Sequence, residues 1–314
     1  MEVTLKKQDR ESFIERLKYN IKMYWFIYLL VLPGIIHLII FRISPIYGIS
    51  VAFKDYKISK GILKSPWVGF DNFKILFTDK YFYKVIWNTV LLNIYSIIFG
   101  TAFTIFLALM LNEIKNQFLK KTLQTSVYFP NFVSWVIFAG IVNAMLSPAD
   151  GAVNLILKLL GLKSIYFLGS NKWFRFIIVA SGIIKTAGFG TIIYLASIAG
   201  INPEIYESAS IDGAHRGQLL WHITLPRIKP TIAVMLIMSV SNIFGSNFEQ
   251  IYNLYSPLVY ETGDVLSTYM YRTGLLEGKF ETSTALGLAF SVIGLGIVIM
   301  TNKVVNKMDV MGFF

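Results

Sequence analysis

The chain contains no cysteine, which rules out disulfides and thiolate metal sites but leaves its compartment open. Charged residues fill only 15% of its 314 positions, against 55% hydrophobic, too few for the surface of an ordinary soluble domain. Its three histidines, His37, His215 and His222, stand at no metal-ligand spacing and read as structural. The phosphate-binding run Gly-x-x-x-x-Gly-Lys-Ser/Thr is missing: Gly274 to Gly278-Lys279 is one residue short, and Phe280 follows where a hydroxyl is needed. ATP-driven work would therefore have to draw on another subunit. There is no Gly-x-Ser-x-Gly and no His-Glu-x-x-His, and the apolar stretches hold too few carboxylates for a proton relay. The chain is not expected to be an enzyme or to carry a cofactor or metal.

What is present is apolar length. A mean hydropathy of +0.59 fits a polytopic membrane protein. Six segments have the length a hydrocarbon core needs, at about 24–41, 85–110, 126–146, 174–199, 231–248 and 284–302. The fold class expected is all-α. The net charge of +11 could suggest nucleic acid, but lysines and arginines flanking apolar spans account for it through anionic lipid head groups. No nucleic-acid partner is expected. Residues 1–23 are basic and place Phe13, Ile14, Leu17 and Ile21 on one helical face, which suits either a helix lying on the membrane surface or a solvated tail. Residues 24–84 make the first span and a loop, 85–302 the core, and 303–314 a tail. The N-terminal basic block, with Lys115, Lys120 and Lys121, puts both termini in the cytoplasm, although Lys54, Lys57, Lys60 and Lys64 crowd the first external loop. A short amphipathic helix at about 153–160 is expected on the external surface.

The polar interlude at 204–226 organises the rest. Asn202 is a good N-cap, Pro203 suits the first helical position, and Glu204 and Glu207 favour the positive end of a helix dipole. A short helix is expected from Pro203 to Ile211. Gly213 can take the left-handed turn, and Leu225-Pro226 is expected to stop the second helix. The pattern Glu-Ala-Ala, three residues, Gly, nine residues, Ile, one residue, Leu-Pro falls on Glu207, Ser208, Ala209, Gly213, Ile223, Leu225 and Pro226, with only Ser208 departing. This resembles the EAA loop of the permease subunits of binding-protein-dependent ABC importers, here at 200–228.

The resemblance implies a type I importer transmembrane domain in the cell membrane. It implies that Glu204, Glu207, Ser208, Ala209, Asp212, Gly213, Ile223, Leu225 and Pro226 form the loop that couples to an ATPase. The implied partners are a second permease subunit, two ATP-binding subunits, an extracytoplasmic solute-binding protein and membrane lipid. Further on, the wording Ser44-Pro45-Ile46-Tyr47-Gly48, Ala52-Phe53-Lys54-Asp55-Tyr56 and Ser65-Pro66-Trp67-Val68-Gly69-Phe70-Asp71-Asn72-Phe73 is similar to the first external loop of the polysaccharide-permease branch, the lipoprotein-B-named and alginate-importer permeases. An oligosaccharide substrate is implied, neutral over acidic by a margin only. Peptide or amino-acid import is the alternative, then a secondary carrier or a membrane enzyme of lipid-linked sugars. No internal repeat favours the carrier and no catalytic cluster favours the enzyme.

Polar residues within the spans are the candidates for the pathway. Lys185 sits mid-span, where a charge needs a partner, a carbonyl or water. A pathway or inter-subunit role and a structural pairing stand equal. Asn247, Glu249, Gln250, Tyr252 and Tyr255 offer the amides, carboxylate and rings that sugar recognition uses, with Asn242 leaning towards inter-helix bonding. Asn88, Asn93 and Asn143 carry the same ambiguity.

Overall fold

The structure, a computed structural model, describes residues 2–74, 78–245 and 247–306. Among them the secondary structure is helical apart from one isolated antiparallel bridge between Lys54 and Trp67. Five helices of 24 to 36 residues are long and apolar enough to cross a bilayer, and a bent pair brings the crossings to six if taken as one span. The all-α, polytopic class is as expected. Two compact units result, Met1–Asn72 and Phe73–Phe314. Residues 75–77 of the expected segment 24–84, and 307–314 of the expected tail, lie outside the described residues.

In the first unit, helix α1 (Glu2–Leu38) departs from helical geometry at Tyr24 (φ −114°, ψ 23°), where the first span was expected to begin. It carries on as a widened turn, Ile39–Ile43, and a tight 3-10 run, Ser44–Phe53, opened by Pro45. The side chains of Phe13, Ile14 and Leu17, on which the amphipathic reading rests, lie outside the described residues. The loop that follows is packed. Phe53 stacks on Trp67 at 5.5 Å and meets Phe70 edge-on, Lys54 Nζ donates to the Ile62 carbonyl (2.6 Å), and the Asn72 amide donates to the carbonyls of Ala52 and Lys54 (2.9 Å each). Part of the aromatic wording of this loop thus serves its own cohesion, while Trp67 and Phe70 keep most of their surface exposed.

The second unit comprises α2 (Lys80–Glu113), α3 (Gln117–Phe132), α4 (Trp135–Leu146), α5 (Ala152–Leu159), α6 (Asn171–Ala199), α7 (Pro203–Ile211), α8 (Leu225–Ser241), α9 (Phe248–Leu254), α10 (Leu266–Tyr271) and α11 (Phe280–Asn306). Asp79, Asn116 and Ser134 start α2, α3 and α4 by accepting backbone N–H groups of the first turn. Helix α6 is the spine. Its Phe174, Ile177 and Ile178 share one buried cluster with Leu92 of α2 and Ile251 and Leu254 of α9. Its Tyr194 and Ile198 share another with Ala108 of α2 and Ile228 of α8. Phe82, Val85, Leu266, Leu286 and Phe290 make a third, joining α2, α10 and α11. Each apolar side chain so buried contributes about 1.5–3 kcal/mol relative to water, less where lipid is the alternative.

Two expected spans are not continuous. The segment expected at 126–146 is α3 and α4, bent by 103°. Pro130 supplies no N–H to the last turn of α3, Val133 is extended, and Ser134 caps a new helix. The fifth span also differs at both ends. Pro226 does not stop the second helix of the loop: a widened turn at Leu219–Thr224, in which the Leu225 N–H reaches the Leu220 carbonyl, precedes the ring, and the helical run Arg216–Ser241 passes through. It ends at Ser241 rather than 248, and the chain restarts as α9 after Asn247 at φ +69°.

Candidate functional site

Two places combine exposed polar chemistry with a rigid frame. The first is the loop between α6 and α8. Asn202 accepts the Glu204 N–H (3.1 Å) and donates to its carboxylate (3.0 Å) to open α7. Gly213 at φ +84° closes it, with the Ala214 N–H on the Ala209 carbonyl (2.9 Å). Tyr206 Oη meets Thr224 Oγ1 at 3.0 Å and pins α7 to the returning segment. His215 caps the turn Arg216–Gln218, and His222 Nδ1 lies 3.2 Å from the Gln218 carbonyl, so both are structural. The Ser208 hydroxyl is satisfied locally by the carbonyls of Glu204 and Ile205.

On this frame Glu204, Glu207, Ser208, Asp212 and Pro226 are exposed, while Ala209, Ile223 and Leu225 are half-buried. A cleft of about 450 Å³ is lined by Ala209, Asp212, Gly213, Gln218, His222 and Ile223. Ile211 is 86% exposed and Trp221 71%. Large apolar side chains standing on a polar loop mark a protein contact. Neither stands out in the sequence from the apolar residues near it.

The second place is a groove of about 490 Å³, open on one side, between α2, α6 and α8. Asn93, Ser96 and Thr101 line it from α2, Thr186 from α6, and Ser239 from α8. Asn242 and Asn247 line it beyond the end of α8. Of the residues expected to recognise sugar, Asn247 lies here, its amide 3.4 Å from Asn93 Oδ1, together with Asn93 and Asn242, whose roles the sequence left open. The hydroxyls were missed, although the polar or small residues of α2 at Asn93, Ser96, Gly100, Thr101 and Thr104 recur at helical spacing in an otherwise apolar run.

The remaining expected residues are elsewhere. Gln250 is buried and donates to the Ile178 carbonyl (2.5 Å) and Ser181 Oγ (2.9 Å), fastening α9 to α6. Glu249 is exposed on α9. Tyr252 and Tyr255 belong to an aromatic shelf: Tyr252 stacks on Phe248 (5.3 Å) and meets Tyr271 (5.1 Å), and Tyr255 meets Tyr260 (5.1 Å). Lys185 is buried between α6 and the α3–α4 bend and does not line the groove, although its neighbour Thr186 does. Asn88 and Asn143 are held by backbone carbonyls.

Beside the shelf, Asp264 is fully buried and takes Arg272 in two hydrogen bonds (2.6 and 3.3 Å), Tyr81 Oη (2.6 Å) and Thr268 Oγ1 (2.8 Å). Burial works against the Arg272 charge, but the Asp264 hydrogen bonds outweigh it and hold the guanidinium above its ordinary value. At the surface, the hydrogen bond from Lys84 (2.8 Å) holds the Glu261 carboxyl below its ordinary value.

An all-helical bundle with interrupted spans, a polar groove and a helical loop at one end defines an integral-membrane transport subunit. The family described as binding-protein-dependent transport system inner membrane component matches residues 100–310, well over half of the chain, and the chain belongs to that family. It is 38% identical over 288 residues to Protein LplB of Bacillus subtilis (strain 168), covering 92% of this chain and 91% of that one. It is 37% identical over 312 residues to the polygalacturonan/rhamnogalacturonan transport system permease protein YteP of the same organism, covering 99% and 96%. Its structure is similar, with a TM-score of 0.86 and 44% identity over 93% of this chain and 99% of the other, to a chain in the crystal structure of a bacterial ABC transporter involved in the import of the acidic polysaccharide alginate. A second match at the same score and identity, over 95% and 99%, is to a bacterial alginate ABC transporter in complex with an alginate pentasaccharide-bound periplasmic protein.

Proposed function

We propose that the chain is one of two permease subunits forming the pathway of an ABC importer, and that its cargo is an oligosaccharide rich in uronate. The observation that carries the reading is the groove: Asn93, Ser96, Thr101, Thr186, Ser239 and Asn242 present amides and hydroxyls along three helices, the partners sugar hydroxyls need. Its open side is closed by a second permease. The named cargoes of YteP and of the alginate transporter favour an acidic sugar, against the marginal preference for a neutral one drawn from the sequence.

By the same reading the chain hydrolyses nothing. An ATPase subunit docks at the cleft beside α7, meeting Glu207 and the exposed Ile211 and Trp221, and the importer holds two such subunits. An extracytoplasmic protein delivers the sugar to the opposite face. Both termini and the loop at 200–228 lie in the cytoplasm, while the 45–73 loop and α5 lie outside. The test is uptake by proteoliposomes holding this chain, its companion permease, the ATPase and the binding protein. ATP-dependent uptake of labelled galacturonate or mannuronate oligosaccharides is expected, with maltodextrins and peptides excluded. Peptide uptake without sugar uptake overturns the reading. Asn242→Leu removes one hydrogen-bonding side chain from the groove, a loss of about 0.5–1.5 kcal/mol or roughly 2- to 12-fold in uptake, with the ATPase still co-purifying.

A further inference from the structure

Lys185 lies midway along α6, fourteen residues from both Asn171 and Ala199, or about 21 Å from either end of a helix rising 1.5 Å per residue. That is the depth at which a charge is most costly. The side chain is buried, only 5% of the residue being exposed, and its Nζ donates to three backbone carbonyls: Val133 (2.6 Å), Asn131 (3.1 Å) and Pro130 (3.3 Å). It also lies over the Trp135 ring, 5.2 Å from its centroid. Among the described residues no carboxylate forms an ion pair with it.

Those carbonyls lie in and just past the last turn of α3, at the negative pole of its dipole, where intrahelical partners run out, and that of Pro130 also accepts the Val133 N–H (3.3 Å). Trp135 is the first residue of α4. One ammonium is therefore gripped by the last turn of one helix and the first residue of the next, across a 103° bend. Helix α4 in turn packs against α9, the helix that carries Tyr252 and follows Asn247, which lines the groove.

We propose that Lys185 is a positioning residue, a tethered cation that sets the elbow between α3 and α4 and, through α4, the seat of α9 beside the groove, without touching the cargo. The transport half of the test rests on the permease reading above; the geometric half does not. A bare cation of the same charge in the same place should do what the side chain does. Lys185→Ala deletes the atoms of n-propylammonium, so that ion is the probe, and n-propanol, its uncharged counterpart, is the control.

The chain has no cysteine to remove, so spin labels can be placed at Thr125 and Ile141, exposed positions on either side of the elbow. Wild type and Lys185→Arg are expected to give one narrow distance in the full complex. Lys185→Met, which keeps the bulk and loses the charge, is expected to broaden it. A cation at a partly buried helix C-terminus contributes up to ~2 kcal/mol, so the set elbow loses roughly thirtyfold in population. Uptake should fall with it. In Lys185→Ala, propylammonium is expected to restore both the narrow distance and uptake, and propanol neither. A narrow distance in Lys185→Met overturns the proposal: with uptake intact the charge is idle, and with uptake lost Lys185 serves the cargo directly. Equal broadening in Met and Arg variants with no response to propylammonium also overturns it, leaving packing alone. Should Lys185→Met fail to assemble, the Arg variant and the amine experiment still decide.

Discussion

At the scale of single residues, two glycines illustrate different demands. Gly213 has φ +84° and nothing within 4 Å of where a Cβ would stand, so a substituent there meets backbone strain and no neighbour. Gly213→Val is expected to cost about 1–3 kcal/mol and Gly213→Asn less, since asparagine tolerates the left-handed region. The readout is the ATPase rate stimulated by loaded binding protein, which should fall in that order. Gly188 has no unusual φ, but a Cβ on it would run into the Val127 carbonyl and come within 3.1 Å of Tyr128 Cα. Gly188→Ala is expected to push α3 off α6 at about 1–3 kcal/mol, seen as a lower melting temperature of the solubilised chain. Glu207 is exposed and makes no hydrogen bond or ion pair among the described residues. Glu207→Lys should therefore leave the melting temperature alone and reduce the ATPase subunit recovered in co-purification. The small residues at 188 and 213 look alike in the sequence, and only the second has local signals around it, an N-cap eleven residues upstream and a polar run, that announce its role.

Elements show the same division between local and distant causes. Helix α7 begins and ends where Asn202, Pro203 and Gly213 say it should, because caps and turns are decided by neighbours in sequence. The two broken spans were not legible, since hydropathy registers apolar length and not direction. What bends them is held by residues far off in the chain: Lys185 reaches carbonyls 52 to 55 positions earlier, and Gln250 reaches Ile178 and Ser181, 72 and 69 positions earlier. All of these contacts fall on one face of α6, at Ile178, Ser181, Lys185 and Gly188, spaced three, four and three residues apart. The same periodicity that lets a helix bury one stripe here lets it hold three broken pieces, α9, the elbow and α3, in sequence along its length. Gln250→Leu leaves the Ile178 carbonyl without this partner and Ser181 without its acceptor role, at about 1–3 kcal/mol. Faster amide exchange across α9, with α7 unchanged, is the expected result.

On the scale of the whole molecule, the end of the bundle opposite the loop is tied by Asp264, whose carboxylate joins Tyr81 of α2, Thr268 of α10 and Arg272. Arg272 also lies 4.7 Å from the Tyr260 ring. Removing one member of a buried charge pair costs about 3–5 kcal/mol because the other is stranded, so Arg272→Met should lower the melting temperature far more than the Arg272→Met, Asp264→Leu double variant. The groove was only partly legible at this scale, since it is assembled from hydroxyls on α2, α6 and α8 that no single segment displays. The elbow has one more consequence, for how the chain is made. Helices α3 and α4, of 16 and 12 residues, reach about 24 and 18 Å, each short of a hydrocarbon core of roughly 30 Å. The ammonium that joins them is not synthesised until 52 residues after Val133. As the chain leaves the ribosome, its third crossing should wait in the translocon for its fourth, so a nascent chain stopped before Asn171 should leave the stretch between Asn116 and Ser147 open to protease, and one extended far enough past Gly200 to free Lys185 from the ribosome should not.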